Sequence, residues 1–492
     1  MSAVFARLLR LEIGFLLRQP SVWWLFLPLT AALLIAAHLG AQRVEAQQAN
    51  IAQGYAEERR IESLAADTAS RLAQPSAPAI DFYRDPTGAY SYMTMFLVRY
   101  AAKEPFPLAP LAIGQADVQP STLRMTFGFS AVLTDDYVNI GSARALKLGG
   151  FDLAFVLVYL LPLALIAVSA PRMSFEQDSG IIRMIAAQPL RLATVAATKF
   201  GAVAVAYLLW LILAGGSALW VGGVLPGAAG WGPTLGWIAA SIALYGVFWI
   251  GVGALGAALW RGGKFAIGFA FAIWAIATVL LPAAAALIIE AKAAPVSRVA
   301  YIDTSRQAVD HFYEEGAEVA SAWASAHPRL ADRPDLAVTT EVMRLARDDY
   351  FRTELAPFRQ AFDQRQVALA AMEQDWAIIS PSLILRRALQ TASGGDTARH
   401  ASFLREADDF GQRVRAYFEP VILGPLLTPP AKCDGCLAQL NYAAYPEVPR
   451  FTALVDNIRP RAVAKSAAFG LAIFVVVLAL LLGAAFSRKK MT

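Results

Sequence analysis

Six long apolar segments constrain this chain more than any other feature of its sequence. Each is about 20 residues or longer, the length that an α-helix needs to cross roughly 30 Å of hydrocarbon. The segments are 21–40, 151–170, 200–224, 235–260, 265–289 and 462–486. The sequence therefore predicts a mainly α-helical, polytopic membrane protein with six transmembrane helices.

Composition and charge favour the same class. Of the 492 residues, 57% are hydrophobic and only 16% are charged, whereas a globular protein carries about 25% charged residues. The net charge of +5 is small for this length, and no basic–aromatic cluster indicates nucleic-acid binding. The N-terminus lacks a small-residue cleavage site, so we expect the first apolar segment to be retained. Membrane lipids are expected partners, and nucleic acid is not.

Basic residues in the short flanks predict the orientation. They collect on one side of the six segments: Arg7, Arg10, Arg18, Arg172, Arg183, Arg191, Lys199, Arg261, Lys264, Arg488, Lys489 and Lys490. The opposite short loop, 225–234, carries no charge. We therefore expect both termini, including the tail 487–492, and the polar segment 171–199 to be cytoplasmic. The long loops 41–150 and 290–461 are predicted to lie on the other side.

Both long loops are rich in helix-forming residues. The first is predicted to continue the first span as a helix as far as Pro75 and Pro78. The second is expected to hold three helical stretches, the last of them interrupted by Ser393–Asp396: Thr304–His327, Val338–Trp376 and Ser382–Phe418. Because the loops emerge on one side, the sequence predicts a single, mostly helical extracytoplasmic domain.

The spans contain no acidic or basic residue away from their ends. Ionisable groups inside a membrane mark proton relays and ion sites, so a proton- or sodium-driven carrier and an intramembrane protease are disfavoured. The nearest sequence to a phosphate-binding loop, 258–265, has Ala258 in place of the first Gly and Phe265 in place of the Mg²⁺-binding hydroxyl. We expect no enzymatic activity and no cofactor in this chain; ATP energy would come from another subunit.

The polar segment 171–199 is amphipathic and lies between two spans. A helix is predicted over Ser174–Ala187, with apolar residues on one face and acids near its start, which suits the helix dipole. Pro189 is predicted to end it. Two interpretations stay open: a docking helix that transmits force to the spans, or a solvated loop whose apolar face lies on lipid headgroups.

The same segment resembles the loop after the second span in type-2 permeases of ATP-binding-cassette transporters. The resemblance is carried by Glu176, Ser179, Gly180, Gln188, Pro189 and Lys199. Ile181 stands where that family usually has Thr. The amphipathic start, residues 1–20, ends in Arg18-Gln19-Pro20 and is similar to the family's elbow helix.

A second stretch resembles a recurring segment of a subfamily with large periplasmic loops and a domain of unknown function. The matching residues are Ser380, Pro381, Leu383, Gly395, Asp396, His400 and Phe403. The usual version reads Gly-Thr-Asp where this chain has Gly395-Asp396-Thr397. The resemblance implies a protein of the bacterial inner membrane whose two long loops are periplasmic.

The resemblance also implies a function and its partners. The chain would be a permease subunit that couples ATP hydrolysis by two cytoplasmic ATPase subunits, which hold ATP and Mg²⁺, to movement of its spans and periplasmic domain. A second permease copy or a paralogue would complete the dimer, and a periplasmic protein is a further candidate partner. The polar segment would be the coupling helix, with these contact residues: Glu176, Asp178, Gly180, Ile181, Arg183, Met184, Pro189 and Arg191. The alternative is a non-transporting scaffold or sensor whose ectodomain binds a periplasmic partner.

Two smaller features leave alternatives open. Cys433 and Cys436 form a C-x-x-C in the second long loop, which suits a disulfide in the periplasm, a thiol-exchange pair, or half of a metal site. Leu437 follows in place of His, which excludes a c-type haem site. Asp396 and His400 are four residues apart and suit a polar cap or a loop-anchoring hydrogen bond, or a contact to metal or substrate.

Overall fold

A computed structural model gives the architecture for most of the chain. The residues that it describes are 2–74, 76, 80–114, 120–127, 151–178, 180, 181, 184, 192–224, 230–260, 262–293, 295–428, 447–452 and 459–488. Over these residues the protein is mainly helical, with one two-stranded sheet.

Six of the described helices are long and apolar enough to cross a membrane. Spans 1 to 6 are, in chain order, Pro20–Leu72, Leu153–Met173, Leu192–Val221, Gly232–Leu259, Gly263–Lys292 and Pro460–Phe486. Only the first part of span 1 is apolar, and its helix runs on to Leu72. The prediction of a mainly helical chain with six such helices is confirmed.

Spans 2 and 4 form the centre of the helix bundle. In their most apolar stretches 72% and 61% of the residues are buried, against 11% in span 6. Small residues allow the close packing. At Gly246 of span 4, a Cβ atom would lie 2.2 Å from the ring of Tyr207 in span 3. The Tyr207 hydroxyl donates to the carbonyl of Ile242 at 2.6 Å.

Two spans contain a π-helical turn just before a proline. In span 2 the turn is Val156–Leu160, and the α-helix resumes as Leu161–Ser169 with Pro162 in its first turn. In span 5 the helix Gly263–Ala275 passes into the turn Ile276–Leu280. The helix then resumes as Leu281–Lys292, with Pro282 in its first turn. Proline has no N–H to donate and its ring displaces the preceding turn, which accounts for the wider turn at both places.

The N-terminal helix α1, Ser2–Leu17, joins span 1 through a two-residue turn. Pro20 starts span 1, a position where its missing N–H costs nothing. The Trp23 indole N–H donates to the carbonyl of Leu17 at 2.9 Å and fixes the angle of the turn. The helix packs along span 3 and exposes Leu11 and Phe15.

The first long loop contributes short elements and the only described strands. Antiparallel strands β1, Val98–Ala102, and β2, Thr122–Thr126, pair Val98 with Thr126. The short helical turns of this loop are Phe82–Arg84, Ala89–Ser91, Tyr92–Phe96 and Ala109–Leu111. We did not predict these strands, because each is a five-residue stretch whose pairing partner lies 20 residues or more away.

The second long loop folds into four longer helices. They are α2, Arg298–Ala326, α3, Thr340–Trp376, α4, Pro381–Ser393, and α5, Thr397–Leu427, with short 3₁₀ turns at Pro334–Leu336 and Ala377–Ile379. The α4–α5 turn begins at Gly394, whose φ of 73° is a left-handed helix cap. The predicted interruption at Ser393–Asp396 is therefore present. The predicted end near Phe418 is wrong: α5 continues through Pro420 and Pro425, because buried Phe418 and Ile422 hold this part of the helix in the core.

The two long loops share one hydrophobic core. Tyr92 and Met93 of the first loop lie with Phe403, Phe410 and Phe418 of α5 in a single buried cluster. Removing apolar surface from water contributes about 25 cal/mol of free energy per Å². The burial of this cluster is therefore the main contribution that holds the two loops together.

Buried ion pairs add the long polar end of span 1 to this core. Arg99 of β1 is completely buried; its Nη1 lies 2.7 Å from Glu62 Oε1 and 3.3 Å from Glu58 Oε1. Arg450 reaches the same two acids at 2.8–2.9 Å. The span 1 helix, β1 and the segment at 447–452 are therefore joined by charge as well as by packing.

The polar segment differs from its prediction in two ways. A single helix over Ser174–Ala187 is wrong, because the helix there is Pro171–Asp178, a continuation of span 2, and Gly180 has φ 74°. A residue with that φ cannot lie inside a right-handed helix. The helix of span 3 begins at Leu192, so Lys199 lies within a helix and is buried.

Candidate functional site

Four charged side chains meet where the polar segment leaves the bundle. Lys199 Nζ lies 2.7 Å from Glu12 Oε1 and 2.6 Å from Glu176 Oε1. Arg172 Nη1 lies 3.5 Å from Glu12 Oε2, and its Nη2 donates to Gln19 Oε1 at 3.1 Å. We call Glu12, Arg172, Glu176 and Lys199 the ionic cluster. It joins α1, the end of span 2 and the start of span 3.

The ionic cluster is mostly shielded from solvent. The side chains of Arg172 and Lys199 are each 8% exposed, and those of Glu12 and Glu176 are 19% and 18% exposed. Charges in such a place interact more strongly than on an open surface, yet they also lose hydration. Removing one partner leaves the others buried and uncompensated, which typically costs about 3–5 kcal/mol. The cluster therefore fixes three helices relative to one another.

Helix geometry explains how the sequence builds this cluster. Arg172 and Glu176 are four residues apart on one helix and so lie on the same face. That helix is continuous with span 2 through Ala170. Lys199 projects from the second turn of span 3, and Glu12 is the only acid in α1. A single acid in an otherwise apolar and basic amphipathic helix was the signal in the sequence for an internal partner.

The remaining predicted contact residues divide into two groups. Gly180 follows the cluster in a left-handed conformation, and apart from its chain neighbours no described residue has an atom within 4 Å of its missing Cβ. Beyond it Ile181 is 41% exposed and Met184 is 72% exposed. The side chain of Asp178 and all of Arg183, Pro189 and Arg191 lie outside the described residues, as do Cys433 and Cys436.

The structure thus separates two roles that the sequence left combined. Glu176 faces inward to Lys199, whereas Ile181 and Met184 present apolar side chains outward. We missed Glu12 and Arg172, because a partner about 160 residues away cannot be inferred from local spacing. Lys199 was named in the family pattern without a partner.

The structure gives Asp396 a capping role and buries most of His400. Asp396 caps the N-terminus of α5, where its Oδ1 accepts from the backbone N–H of Arg399 at 2.9 Å. Burial, and secondarily the charge of Lys103, lowers the pKa of His400 to about 3. Asp396 therefore fits the polar-cap interpretation, whereas the buried Nδ1 of His400 has no hydrogen-bond partner among the described residues. Over the ranges that the structure describes, no three His, Cys, Asp or Glu side chains are grouped to hold a metal ion.

Comparison with known proteins gives one match within the chain. Residues 298–424 match a domain of unknown function, DUF3526. The match covers less than half of the chain and includes α2, α3, α4 and most of α5. Neither the curated proteins nor the solved structures contain a match to this chain. We call residues 298–424 the DUF3526 segment.

The DUF3526 segment meets the bundle away from the ionic cluster. Its helix α4 packs against spans 4 and 6, and Ile384, Leu385 and Leu389 belong to the same buried cluster as the spans. Its Ser382 is hydrogen-bonded to the hydroxyl of Tyr245 in span 4. That hydroxyl also donates to the carbonyl of Val158, near the start of span 2. Arg172 and the ionic cluster lie at the other end of the same span. Span 2 therefore connects the two regions.

Proposed function

We propose that the chain is the permease subunit of an ATP-driven ABC transporter, with the polar segment as the coupling element for a separate ATPase. The membrane is the bacterial inner membrane, both termini are cytoplasmic and the long loops are periplasmic. The basic flanks of the spans support this orientation. The resemblance of the polar segment and of the N-terminal helix to type-2 permeases supports the assignment.

One observation carries the proposal. The ionic cluster fastens the base of the polar segment to α1, span 2 and span 3, while Ile181 and Met184 just beyond it are exposed. A protein bound to these apolar side chains would push on the polar segment, whose base the ionic cluster holds in place. Its force would pass into three membrane-associated helices at once.

A rigid connection is what coupling requires. The π-helical turn of span 2 and Arg172 are separated by about 20 Å of continuous helix at 1.5 Å per residue. Tilting the base of span 2 would therefore move its far end as well. Two ATPase subunits, which hold ATP and Mg²⁺, would drive this tilt when they close.

The proposed assembly is a dimer of permease subunits, identical or paralogous, because a six-span unit encloses little space. The six apolar segments carry no charged residue away from their ends, which favours an apolar or amphipathic cargo, or force passed to the periplasmic domain without a cargo. The chain itself carries out no reaction in this proposal.

The experiment purifies the tagged chain from its native membranes and labels ATP-binding partners with a photoreactive ATP analogue. We expect a labelled ATPase to co-purify, and deletion of residues 174–190 to abolish this. Met184→Asp should lower the yield of ATPase at least fivefold, because it places a charge on an apolar contact. The matched control is Tyr313→Asp on α2, where the side chain is 85% exposed; its yield should not change.

The proposal fails if the ATPase remains bound after the deletion, or if no ATP-binding protein co-purifies with the intact chain. The second result would leave the scaffold or sensor hypothesis, in which the periplasmic domain binds a partner.

A further inference from the structure

The two π-helical turns leave backbone carbonyls without their usual donors. In a regular helix the N–H of residue i bonds the carbonyl of residue i−4, but Pro162 and Pro282 have no N–H. In span 2 the N–H of Leu161 instead reaches back five residues to Val156. Leu281 bonds Ile276 in the same way in span 5. Free carbonyls in an apolar bundle need other donors.

Side-chain hydroxyls supply those donors. The Tyr245 hydroxyl of span 4 donates to the carbonyl of Val158, four residues before Pro162, at 2.8 Å. The Ser380 hydroxyl donates to the carbonyl of Ala277, five residues before Pro282. One donor comes from the bundle, and the other comes from the DUF3526 segment.

The same donors are joined to each other. Ser382 Oγ lies 3.2 Å from the Tyr245 hydroxyl and 2.9 Å from Thr278 Oγ1 in span 5. Ser380 Oγ also accepts from the backbone N–H of Ser382 at 3.2 Å. All four residues are at most 2% exposed, and Tyr245 and Ser380 are fully buried. We call Tyr245, Thr278, Ser380 and Ser382 the hydroxyl cluster.

The hydroxyl cluster lies at the first turn of α4, which is itself anchored in the bundle. Ser380 is the residue before Pro381 and caps the helix. The face of α4 with Ile384, Leu385 and Leu389 is buried with the spans. A change of hydrogen-bond partner in the hydroxyl cluster would therefore alter the position of α4, a helix that is packed against spans 4 and 6.

The far end of α4 leads directly into the core of the long loops. The tight turn at Gly394 joins α4 to α5, and at Gly395 a Cβ atom would lie 2.8 Å from the carbonyl oxygen of Ile113 in the first loop. α5 supplies Phe403, Phe410 and Phe418 to the shared core. Because the turn is short and packs tightly against the first loop, a displacement of α4 should also displace α5 and the first loop.

We propose that the hydroxyl cluster is the joint through which movements of spans 2 and 5 reach the DUF3526 segment. The π-helical turns are the moving parts, since such turns recur at functional sites and a wider turn can change its hydrogen-bond pairing without breaking the helix. Coupling of this kind is reciprocal, so a ligand on the DUF3526 segment would shift the same two turns. The proposal deepens the permease function, on which it rests for its purpose, but its test needs no ATPase.

The test is a double-mutant cycle read by hydrogen exchange of the chain alone in lipid nanodiscs. Pro162→Ala supplies an N–H that competes with the Tyr245 hydroxyl for the carbonyl of Val158, although residue 162 lies outside the hydroxyl cluster. We expect the amides of residues 383–393 to exchange about three- to tenfold faster, as for the loss of one hydrogen bond. In a Tyr245→Phe background, Pro162→Ala should add less than twofold. Thr198→Ala is the matched control, since its buried hydroxyl bonds the carbonyl of Val195 in its own helix.

A purely structural α4 would give a different result. The proposal is overturned if Pro162→Ala leaves exchange at 383–393 unchanged, or accelerates it equally with and without the Tyr245 hydroxyl. Should Pro162→Ala not fold, Pro282→Ala in wild-type and Ser380→Ala backgrounds tests span 5, where a return to α-helical pairing would give the N–H of Leu281 to the carbonyl of Ala277 in competition with the Ser380 hydroxyl; the same two outcomes decide it. Because no ATPase is present, this result is independent of the co-purification test of the permease function.

Discussion

The two ends of span 2 are fastened by different chemistry. At one end Arg172 and Glu176 belong to the ionic cluster with Glu12 and Lys199. At the other end the carbonyl of Val158 is held by the hydroxyl of Tyr245, within a cluster of neutral side chains.

Position explains the difference. The ionic cluster lies where the helices leave the apolar bundle, and its acids keep nearly a fifth of their side-chain surface exposed. The hydroxyl cluster is fully enclosed by spans and α4, where a charge would cost far more than a neutral hydroxyl. Ion pairs act over longer distances and resist displacement, whereas hydroxyls can change partner by rotating one bond. We infer that the ionic cluster holds span 2 rigidly at its proposed cytoplasmic end. The hydroxyl cluster holds the other end through hydrogen bonds that can change partner.

Breaking the ionic cluster should have the largest effect. Lys199→Met leaves Glu12 and Glu176 without their shared cation, and we expect a loss of about 3 kcal/mol in the free energy of unfolding, measured in detergent. Adding Glu176→Gln should recover most of it, since Glu12 and Arg172 then remain as a matched pair. Lys292→Met, at an exposed position, should change stability by less than about 0.5 kcal/mol. Equal losses at Lys199 and Lys292 would contradict a clamping role.

Breaking the hydroxyl cluster should cost less. Ser382→Ala removes one bond each from Tyr245 and Thr278, and the expected loss is about 1–2 kcal/mol. Combining it with Thr278→Val should cost less than the sum of the two single changes, because they share a bond. Ser393→Ala in the same helix, whose hydroxyl bonds its own helix at Gln390, is the control. Strict additivity of the Ser382 and Thr278 changes, measured by thermal unfolding, would show that the two hydroxyls do not interact.

Acid should destabilise the DUF3526 side specifically. The pKa of His400 is lowered to about 3, so the unfolded chain binds a proton first and stability falls as the pH drops from about 6.5 toward 3. Between pH 7 and 5.5 this group should account for about 1 kcal/mol. Burial raises the pKa of Asp396 and opposes this trend at lower pH. His400→Gln should flatten the decline in unfolding temperature over that range; an unchanged slope would mean that His400 is not buried as a neutral group.

Salt should weaken the ionic cluster but not the hydroxyl cluster, and this is the smallest of the expected effects. Raising the ionic strength from about 0.1 to 1 M shortens the screening length from about 10 to 3 Å. The penalty of Lys199→Met should then shrink by about 0.5 kcal/mol, because part of the ionic cluster is exposed. The penalty of Ser382→Ala should stay constant. A matching salt dependence for both substitutions would remove the distinction between the two ends.

Local sequence pattern predicted the helices well and the contacts poorly. Apolar length located the six spans, and helix formers located α2 and α3, because both signals are properties of contiguous residues. The predicted helix Ser174–Ala187 was too long, because the prediction took no account of Gly180, which follows the end of the observed helix. The partners Glu12 and Lys199 are 187 positions apart, and Ser380 and Ala277 are 103 apart. Such pairs depend on how helices pack, which spacing along one helix does not encode.

The central claim is that the exposed end of the polar segment binds an ATPase. A photoreactive amino acid at Met184, which is 72% exposed, tests it in intact native membranes, with the same amino acid at Tyr313 as the control. Our account predicts that position 184 cross-links to an ATP-binding protein and that position 313 does not. Cross-linking of position 184 to lipid alone, or an equal ATPase adduct at position 313, would contradict it.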